Sequence, residues 1–320
     1  MEALSFDDVL LVPQYSDINS RSELDIRTEL FGLNLRPILS ANMPSVTSTQ
    51  LAIEMYRHGG LGVLHRFNTP DEAVEQFEIV FANVPVAVSL GVKDYQERAG
   101  KLWDAGANIF FIDVAHGDHK QVKDVLVWMK EVFPDAYVCV GNIVTLAAAQ
   151  RLAAYGADAL KIGVGPGAAC ITREVTGFGV PQVSALYEVA QIKQHYPNVK
   201  IIADGGIKNS GDIVKALYFG ADAVMIGSLF AGTEEAPTPG LYYGNASEVI
   251  NGHNAPEGVS GEVPNQGTVE QLMKRLTWGI KSGFSYAGAR SAEELRLHAT
   301  YVTVTGNSTR ESGARVAEHR

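Results

Sequence analysis

Short continuous runs of hydrophobic residues recur along this chain, and nearly every run is followed by a glycine-rich or polar turn and then by a helical pattern. Continuous rather than alternating hydrophobic runs are typical of parallel strands buried on both faces. The predicted strands cover 37–42, 62–65, 84–90, 109–114, 137–140, 159–164, 201–203 and 223–226. The predicted helices cover 48–58, 70–82, 94–105, 118–132, 145–155, 183–196, 210–219 and 268–284. The pattern indicates an α/β protein.

The number of strand–helix units decides between two α/β architectures. Eight units in a chain of 320 residues favour one closed (β/α)8 TIM barrel. An open doubly wound sheet usually carries a Gly-x-Gly-x-x-Gly turn after its first strand, and no such turn follows residues 37–42. We therefore predict a single catalytic TIM-barrel domain over residues 1–320, with its active site on the loops at the C-terminal ends of the strands. Residues 1–35 are an N-terminal lead-in, 233–267 an active-site flap and 305–320 a flexible tail.

The composition narrows the classes of function. The net charge is −10 and no dense basic patch stands out, so we expect no binding of nucleic acid through its phosphates. Two cysteines are too few for a disulfide framework and indicate a reducing, cytoplasmic setting. The acidic start of the chain lacks the features of a signal peptide, and no apolar run approaches the ~18 residues needed to span a membrane. We expect a soluble cytoplasmic protein with no membrane partner.

The loop after the predicted strand 159–164 carries the strongest candidate for chemistry. Gly163, Gly165 and Gly167 occupy alternate positions there, and Cys170 and Thr172 follow. Glycine at this density lets the backbone approach a ligand or an ion closely. A lone cysteine can also be a small buried apolar residue, and the spacing alone leaves both interpretations open.

The last two predicted barrel loops indicate a phosphate site. They carry Asp204-Gly-Gly206 and Gly227-Ser228, and barrels commonly bind phosphate at this place on backbone N–H groups and a helix N-terminus. A carboxylate such as Asp204 suits a pair of sugar hydroxyls, because it accepts two hydrogen bonds. These loops predict a nucleoside monophosphate, with its ribose at Asp204 and its base toward Cys170.

At these residues the chain resembles the IMP dehydrogenase / GMP reductase family, from Leu4 to about Val304. The strongest matches are Gly163-Val-Gly-Pro-Gly-Ala-Ala-Cys170-Ile-Thr172, Ile202-Ala-Asp-Gly-Gly-Ile207, Met225-Ile-Gly-Ser-Leu-Phe-Ala-Gly232 and Tyr243-Gly-Asn-Ala-Ser247. The resemblance implies that the thiolate of Cys170 attacks C2 of the purine and forms a covalent thioimidate. It implies that Thr172 and Glu257 serve the proton transfers, and that the backbone around Gly165, Gly167 and Cys170 holds a monovalent cation, usually K+.

The same resemblance assigns the remaining site residues. The substrate phosphate would lie at Gly206, Gly227, Ser228 and Tyr243, and the ribose at Asp204. Met43 and the backbone of Asn245 and Ala246 would face the base, with Gly244 beside them. Asp113 and Asn142 match positions near the nicotinamide and its ribose. A homotetramer is also implied.

Two members of the family share this chemistry, and the residues favour the reductase. IMP dehydrogenases hydrolyse the thioimidate with an Arg-Tyr pair on a mobile flap, and residues 174–274 contain no arginine. The chain also lacks the regulatory (CBS) module that usually follows the second helix. We therefore expect an NADPH-dependent GMP reductase, the alternative being an IMP dehydrogenase without that module. Val259, where reductases often carry lysine, and Pro44, where Asp is common, depart from the pattern.

Two hypotheses from other classes stay open. A flavin-dependent barrel oxidoreductase would place the phosphate of flavin mononucleotide on the same two loops, although it has no obvious use for the Cys170 loop. A non-catalytic nucleotide-binding protein would bind a nucleotide without using the thiol.

Overall fold

The computed structural model describes residues 2–252 and 256–312. The strands are β1 (Val9–Val12), β2 (Thr28–Leu30), β3 (Leu33–Leu35), β4 (Ile38–Ser40), β5 (Val63–Leu64), β6 (Ala87–Leu90), β7 (Ile109–Asp113), β8 (Tyr137–Ile143), β9 (Ala159–Ile162), β10 (Lys200–Asp204), β11 (Ala223–Ile226), β12 (Leu241–Tyr243), β13 (Ser260–Glu262) and β14 (Thr300–Thr303). The α-helices are α1 (Thr49–Arg57), α2 (Pro70–Phe81), α3 (Tyr95–Asp104), α4 (Lys120–Val132), α5 (Leu146–Ala154), α6 (Thr172–Thr176), α7 (Gln182–Val189), α8 (Ser210–Tyr218), α9 (Ser228–Ala231), α10 (Glu248–Asn251), α11 (Val269–Tyr286), α12 (Ala292–His298) and α13 (Gly306–Glu311).

Strands β4 to β11 form one parallel sheet that closes on itself. Neighbours in the sequence pair in order from β5 to β11, and β11 pairs with β4. A parallel bridge between Leu39 and Leu61, just before β5, joins the two remaining edges. The fold is therefore a single (β/α)8 TIM barrel, as predicted, and each of the eight predicted strands overlaps one of these strands, although β8 and β10 extend beyond their predicted ranges. Their side chains are buried almost throughout, which agrees with the continuous hydrophobic runs.

Local signals in the sequence fix the ends of several helices. Thr69 caps α2 and forms a reciprocal capping box with Glu72. Pro70 occupies the first turn, where a backbone N–H would have no acceptor within the helix, so the absence of this group in proline costs no hydrogen bond. Thr268 and Gln271 form the same box at the start of α11. The predicted helix 183–196 is an α-helix, α7, followed by a 3-10 helix at Ala190–Gln194. None of the helices in the described ranges is both long and apolar enough to cross a bilayer.

The lead-in is built into the barrel. Strands β2 and β3 form a hairpin whose tip residue Phe31 is 4% exposed and packs edge-on against Phe111, with ring centroids 5.8 Å apart. Glu29 pairs with Lys200, the first residue of β10, at 2.8 Å. The hairpin thus covers the N-terminal ends of the barrel strands, opposite the predicted site.

Both ends of the described chain contribute to a second small sheet. Strand β1 pairs with β14 in antiparallel register, from Val9 opposite Thr303 to Val12 opposite Thr300. The predicted tail 305–320 includes the short helix α13, while residues 313–320 lie outside the described residues. In the predicted flap 233–267, β12 and β13 form an antiparallel hairpin, and residues 253–255 of the flap also lie outside the description.

Candidate active site

A cleft of about 600 Å3 opens at the C-terminal ends of the barrel strands. The predicted site residues that line it are Met43, Asp113, Asn142, Gly165, Gly167, Cys170, Thr172, Asp204, Gly206, Gly227, Ser228, Gly244, Asn245, Ala246 and Glu257. Tyr243 does not line the cleft, whereas its neighbour Tyr242 does. The backbone of Tyr243 is instead bonded to Ser45, which donates to the Tyr243 carbonyl at 2.9 Å. The structure therefore brings the sequence-predicted residues together, with Tyr243 behind the lining.

Cys170 heads a short hydrogen-bonded chain of side chains. Its thiol is half-buried and lies 3.2 Å from Oγ1 of Thr172, as a donor to that hydroxyl. Thr172 in turn donates to Oε2 of Glu257 at 2.9 Å. A proton can therefore pass between the sulfur and the carboxylate through the hydroxyl of Thr172, which is the arrangement that activates a nucleophile.

Backbone hydrogen bonds hold the Cys170 loop next to the flap segment that carries Glu257. The Ile171 N–H donates to the carbonyl of Glu257 at 2.8 Å, and the Val259 N–H donates to the carbonyl of Ala169 at 2.9 Å. An antiparallel bridge joins Cys170 to Gly258. Thr172 is the first residue of α6, so the carboxylate comes from the flap while the hydroxyl and the thiol come from the loop after β9. Glu257 reaches Thr172 only because the flap segment 257–259 is paired with the loop.

Two glycines allow the loops after β9 and β10 to touch. Gly163 has φ +148°, and a Cβ added there would lie 2.1 Å from the carbonyl oxygen of Asp204. Gly205 has φ +91°, and its added Cβ would lie 3.1 Å from the backbone nitrogen of Gly167. Any side chain at these positions would push the loops apart, so the spacing of the cleft depends on glycine there.

A buried cluster of charges lies beneath the cleft. Nζ of Lys161 is 2.9 Å from Oδ1 of Asp113 and 2.6 Å from Oδ2 of Asp204, and it also donates to Oδ1 of Asn142. Nδ2 of Asn142 donates to Oδ2 of Asp204 at 2.9 Å. Arg66 adds a second positive charge, and its Nε donates to the carbonyl of Asp113 at 2.9 Å. The four members other than Arg66 come from the consecutive strands β7, β8, β9 and β10.

Electrostatic attraction keeps Asp113 and Lys161 charged in spite of their burial. Burial disfavours the carboxylate of Asp113, but Lys161 and Arg66 outweigh that effect, so its pKa lies below the ordinary value. Burial also disfavours the ammonium of Lys161, and the two carboxylates outweigh it, so the pKa of Lys161 lies above its ordinary value. Both groups are therefore ionised throughout the neutral range.

One end of the cleft is built from the loops after β10 and β11 together with the lead-in. Gly206 and Gly227 face Phe6 and Tyr242, and a Cβ added at Gly227 would lie 2.6 Å from the hydroxyl of Tyr242. Lys208 lines the same end and is held by Asp7, with both carboxylate oxygens 2.6 Å from its Nζ. The close approach of the backbone at this end suits an anion, while the charge of Lys208 is paired with Asp7.

Met43 and the flap form the wall of the cleft next to these loops. The sulfur of Met43 is 3.8 Å from the hydroxyl of Tyr242. Asn245 donates from Nδ2 to the carbonyl of Asn42 at 3.3 Å, and the Glu257 N–H donates to the carbonyl of Ala246 at 3.0 Å. Burial raises the pKa of Tyr242, so this side chain is neutral and serves as a hydrogen-bonding wall. A flat apolar ring with polar edges matches such a surface.

Three further residues that line the cleft were not predicted as site residues from the sequence: Lys161, Arg66 and Phe6. The sequence does contain a signal for Lys161, because a lysine inside a buried hydrophobic strand requires a carboxylate partner. Arg66 and Phe6 lie in segments without such a contradiction. Within the described ranges no three or more His, Cys, Asp or Glu side chains are grouped to hold a metal ion.

Comparison with known proteins shows which proteins this chain is similar to. A family model described as "IMP dehydrogenase / GMP reductase domain" matches residues 3–253 and 242–315. An IMP dehydrogenase of Borreliella burgdorferi is 33% identical over 97% of this chain and 96% of that protein. A GMP reductase of Lactobacillus johnsonii is 38% identical over 93% of this chain and 94% of that protein. A GMP reductase of Oenococcus oeni is 37% identical over 95% of this chain and 98% of that protein.

Proposed function

The chain belongs to the IMP dehydrogenase / GMP reductase family of oxidoreductases, which act on purine nucleotides with nicotinamide cofactors, and on that premise we propose that it is an NADPH-dependent GMP reductase. The reaction replaces the amino group at C2 of GMP by hydrogen and gives IMP and ammonia. The observation that carries the proposal is the series of hydrogen bonds from Cys170 through Thr172 to Glu257. In addition, the sequence has no arginine between residues 174 and 274. These residues supply a nucleophile and a proton carrier without the arginine that would activate water.

Cys170 supplies the nucleophile. Its thiol gives up a proton to Thr172 and Glu257, and the resulting thiolate adds to C2 of the purine. The C2–N bond then breaks, the amino group leaves as ammonia, and a thioimidate joins sulfur to C2. When a hydride reaches C2, the C–S bond breaks and IMP leaves with the thiolate restored.

Thr172 and Glu257 carry the protons of both stages. The leaving amino group must accept a proton, and the proton taken from Cys170 is available on the carboxyl group of Glu257. Because Thr172 both accepts and donates, it conducts the proton without changing its own charge.

The cleft has room and partners for a nicotinamide cofactor beside the nucleotide. Asp113 and Asn142 line it next to the Cys170 loop and would hold the cofactor there. NADPH supplies the hydride when it is bound. The nucleotide would then occupy the loops at Gly206, Gly227 and Ser228, with its ribose on Asp204 and its base between Met43 and Gly244, Asn245 and Ala246.

Two observations favour the reductase over the dehydrogenase. The segment 174–274 lacks the arginine that the dehydrogenases of the family use to activate water. The alignment with the Borreliella protein spans 392 positions, more than the 320 residues of this chain, whereas the alignment with the Lactobacillus johnsonii protein spans 315. The Borreliella dehydrogenase thus contains segments that have no counterpart in this chain.

One local run favours the second candidate, an IMP dehydrogenase without the regulatory module. Val259 follows Glu257-Gly258 where reductases of the family often carry lysine. That activity would form the same thioimidate from IMP and then hydrolyse it to XMP.

A cation site and an oligomeric state are also proposed, on the basis of the resemblance to the family. The backbone around Gly165, Gly167 and Cys170 would hold K+, since a hard cation prefers carbonyl oxygens. The active form would be a homotetramer.

The deciding experiment compares two substrate pairs with the same protein. GMP with NADPH should consume the reduced cofactor and release ammonia and IMP, whereas IMP with NAD should give no XMP. Cys170→Ala should still bind GMP but lose turnover, and Cys139→Ala, which changes a buried cysteine outside the cleft, should keep it. Production of XMP without consumption of NADPH would assign the protein to the dehydrogenases, and turnover by Cys170→Ala would exclude the covalent mechanism.

A further inference from the structure

One buried ammonium connects the two halves of the cleft. The side chain of Lys161 is 3% exposed, and each of its three acceptors, Asp113, Asn142 and Asp204, comes from a different barrel strand. An ammonium has three protons to donate, so Lys161 meets its full capacity inside the barrel. Asp113 and Asn142 belong to the cofactor half of the cleft, and Asp204 belongs to the nucleotide half.

The contacts of Lys161 leave one carboxylate oxygen of Asp204 available to a ligand. Lys161 and Asn142 both bind Oδ2 of Asp204, and among the described residues none bonds to Oδ1. The side chain of Asp204 is 21% exposed and lines the cleft. Lys161 therefore fixes the rotation of this carboxylate, so that its second oxygen is available to a hydroxyl.

Stability alone gives no reason for a lysine here. Buried ion clusters are often no more stable than well-packed apolar residues of similar volume, because removing charges from water is costly. Lys161 is the one cationic position inside a strand that is otherwise apolar, Ala159–Ile162. The arrangement is better explained by what the charge does for the carboxylates around it.

We propose that Lys161 is a positioning residue that aligns the nucleotide and cofactor halves of the cleft through Asp204, Asp113 and Asn142. The inference rests on the proposed function, because it assigns Asp204 to the ribose of the nucleotide and Asp113 and Asn142 to the cofactor. All three protons of Lys161 go to these side chains, so it acts through them. It sets the orientation of the groups that would contact the ligands.

Every charged or titratable group facing Lys161 bears on the test. Asp113 lies on β7, Cys139 on β8 and Asp204 on β10, while Arg66 approaches Asp113 from the loop after β5. Burial raises the pKa of Cys139, so this thiol stays neutral. Without Lys161, the buried carboxylate of Asp113 would keep Arg66 as its only neighbouring cation among the described residues, so it would take up a proton at a higher pH.

The experiment measures the binding of each ligand and the pH profile of turnover. Lys161→Met should weaken the binding of GMP and of NADPH together, each by at least about tenfold, since both lose an oriented charged partner. The acidic limb of the kcat/KM profile should move to higher pH by about one unit or more, and Lys161→Arg should restore part of that shift. Lys193→Met is the matched control, because Lys193 pairs with Asp222 at 2.7 Å outside the cleft.

The outcomes separate this inference from the proposed function. If the wild type binds neither GMP nor NADPH, the proposed function fails. If it binds both, and a folded Lys161→Met binds both equally well with an unmoved pH profile, only the role of Lys161 fails; weakening of one ligand alone also overturns it. If Lys161→Met does not fold, the pair Lys161→Met/Asp113→Asn is compared with Asp113→Asn alone. Weaker GMP binding by the pair supports the proposal, and equal binding overturns it.

Discussion

The two cysteines of this chain show how position decides the chemistry of one side chain. Cys139 lies within β8, is fully buried, and has its pKa raised by that burial, so it is an inert part of the core. Cys170 lies at the edge of a cleft with a hydroxyl at 3.2 Å and a carboxylate beyond it. Only the second thiol has an acceptor through which it can lose a proton.

Thr172→Val tests whether the hydroxyl carries that proton. Valine keeps the shape of the side chain and removes the hydroxyl, so GMP binding should persist while kcat falls by about 10²- to 10⁴-fold, the usual contribution of a positioned proton carrier. Rapid-quench measurement of the first turnover would locate the loss in the chemical step. Thr176→Val, on the same short helix but outside the cleft, should keep kcat; an equal loss there would mean that the helix and not the hydroxyl matters.

His65 should make the protein less stable in mild acid. Burial and the neighbouring Arg98 lower the pKa of His65 from 6.5 to about 4 in the folded chain, and its Nδ1 accepts the N–H of Phe67 at 3.1 Å. Between those two pH values the unfolded chain binds a proton that the folded chain does not, so the free energy of unfolding falls as the pH falls from 6.5 to about 4. Because the side chain is only partly buried, the unfolding free energy lost across this pH window is about 2 kcal/mol.

Urea unfolding at a series of pH values would measure this loss. His65→Gln should remove most of the slope in that window, whereas His195→Gln, which changes an exposed side chain, should keep it. An unchanged slope in His65→Gln would refute the assignment.

Side-chain direction was the part of the site that the sequence could not supply. The resemblance assigned Tyr243 to the substrate phosphate, while Tyr242 lines the cleft. Successive side chains of a strand point to opposite faces, so one position of register decides which tyrosine faces the ligand. The cluster around Lys161 was hidden for a related reason, because its members come from four different strands and meet only in the folded barrel.

At the scale of elements, the flap matters through its pairing with the Cys170 loop. Gly258 lies at the point of contact, and a Cβ added there would be 3.1 Å from the Ser247 nitrogen and 3.2 Å from the Ala169 carbonyl oxygen. Gly261, on the same hairpin, has no atom within 4 Å of an added Cβ. A substitution at Gly258 therefore tests the contact between the flap and the loop, and the same substitution at Gly261 is the control.

Gly258→Val should move Glu257 away from Thr172. The larger side chain cannot fit against backbone atoms, so the flap must shift, and kcat should fall by about 10- to 100-fold because a misplaced catalytic group loses most of its effect. Gly261→Val should keep kcat within about twofold of the wild type, since it meets open space. Steady-state assays of both variants, with melting curves to verify folding, would check the pair, and equal losses would show that the flap position is not specific to Gly258.

Local patterns predicted the barrel elements well, and they missed elements that depend on distant partners. All eight barrel strands were visible as hydrophobic runs, even β5, which has only two residues. Strand β14 is exposed along its whole length and is defined by its pairing with β1 nearly three hundred residues earlier. No local pattern contains that information.

At the scale of the whole molecule, the β2–β3 hairpin separates stability from catalysis. It fills the N-terminal mouth of the barrel, while the cleft lies at the C-terminal mouth. Barrel enzymes commonly divide these tasks between their two faces.

Phe31→Ala should therefore lower stability and leave turnover intact. Removing a 4% exposed phenyl ring that packs on Phe111 should cost about 3–5 kcal/mol of unfolding free energy, because a cavity remains. Tyr15→Ala, which truncates a side chain of the lead-in that is 90% exposed, should cost almost nothing. Chemical denaturation and the kcat of each variant below its melting temperature would test both statements. A loss of kcat in folded Phe31→Ala would show that the two faces are coupled.

The pairing of β1 with β14 also determines how the molecule should respond to mechanical force. Val9 and Thr303 form the outermost pair of that ladder. A force that pulls the segment before Val9 away from the segment after Thr303 would load this pair first. The remaining residue pairs would then separate one after another. In an optical trap, this small sheet should open at low force, well before the rupture of the closed barrel behind it.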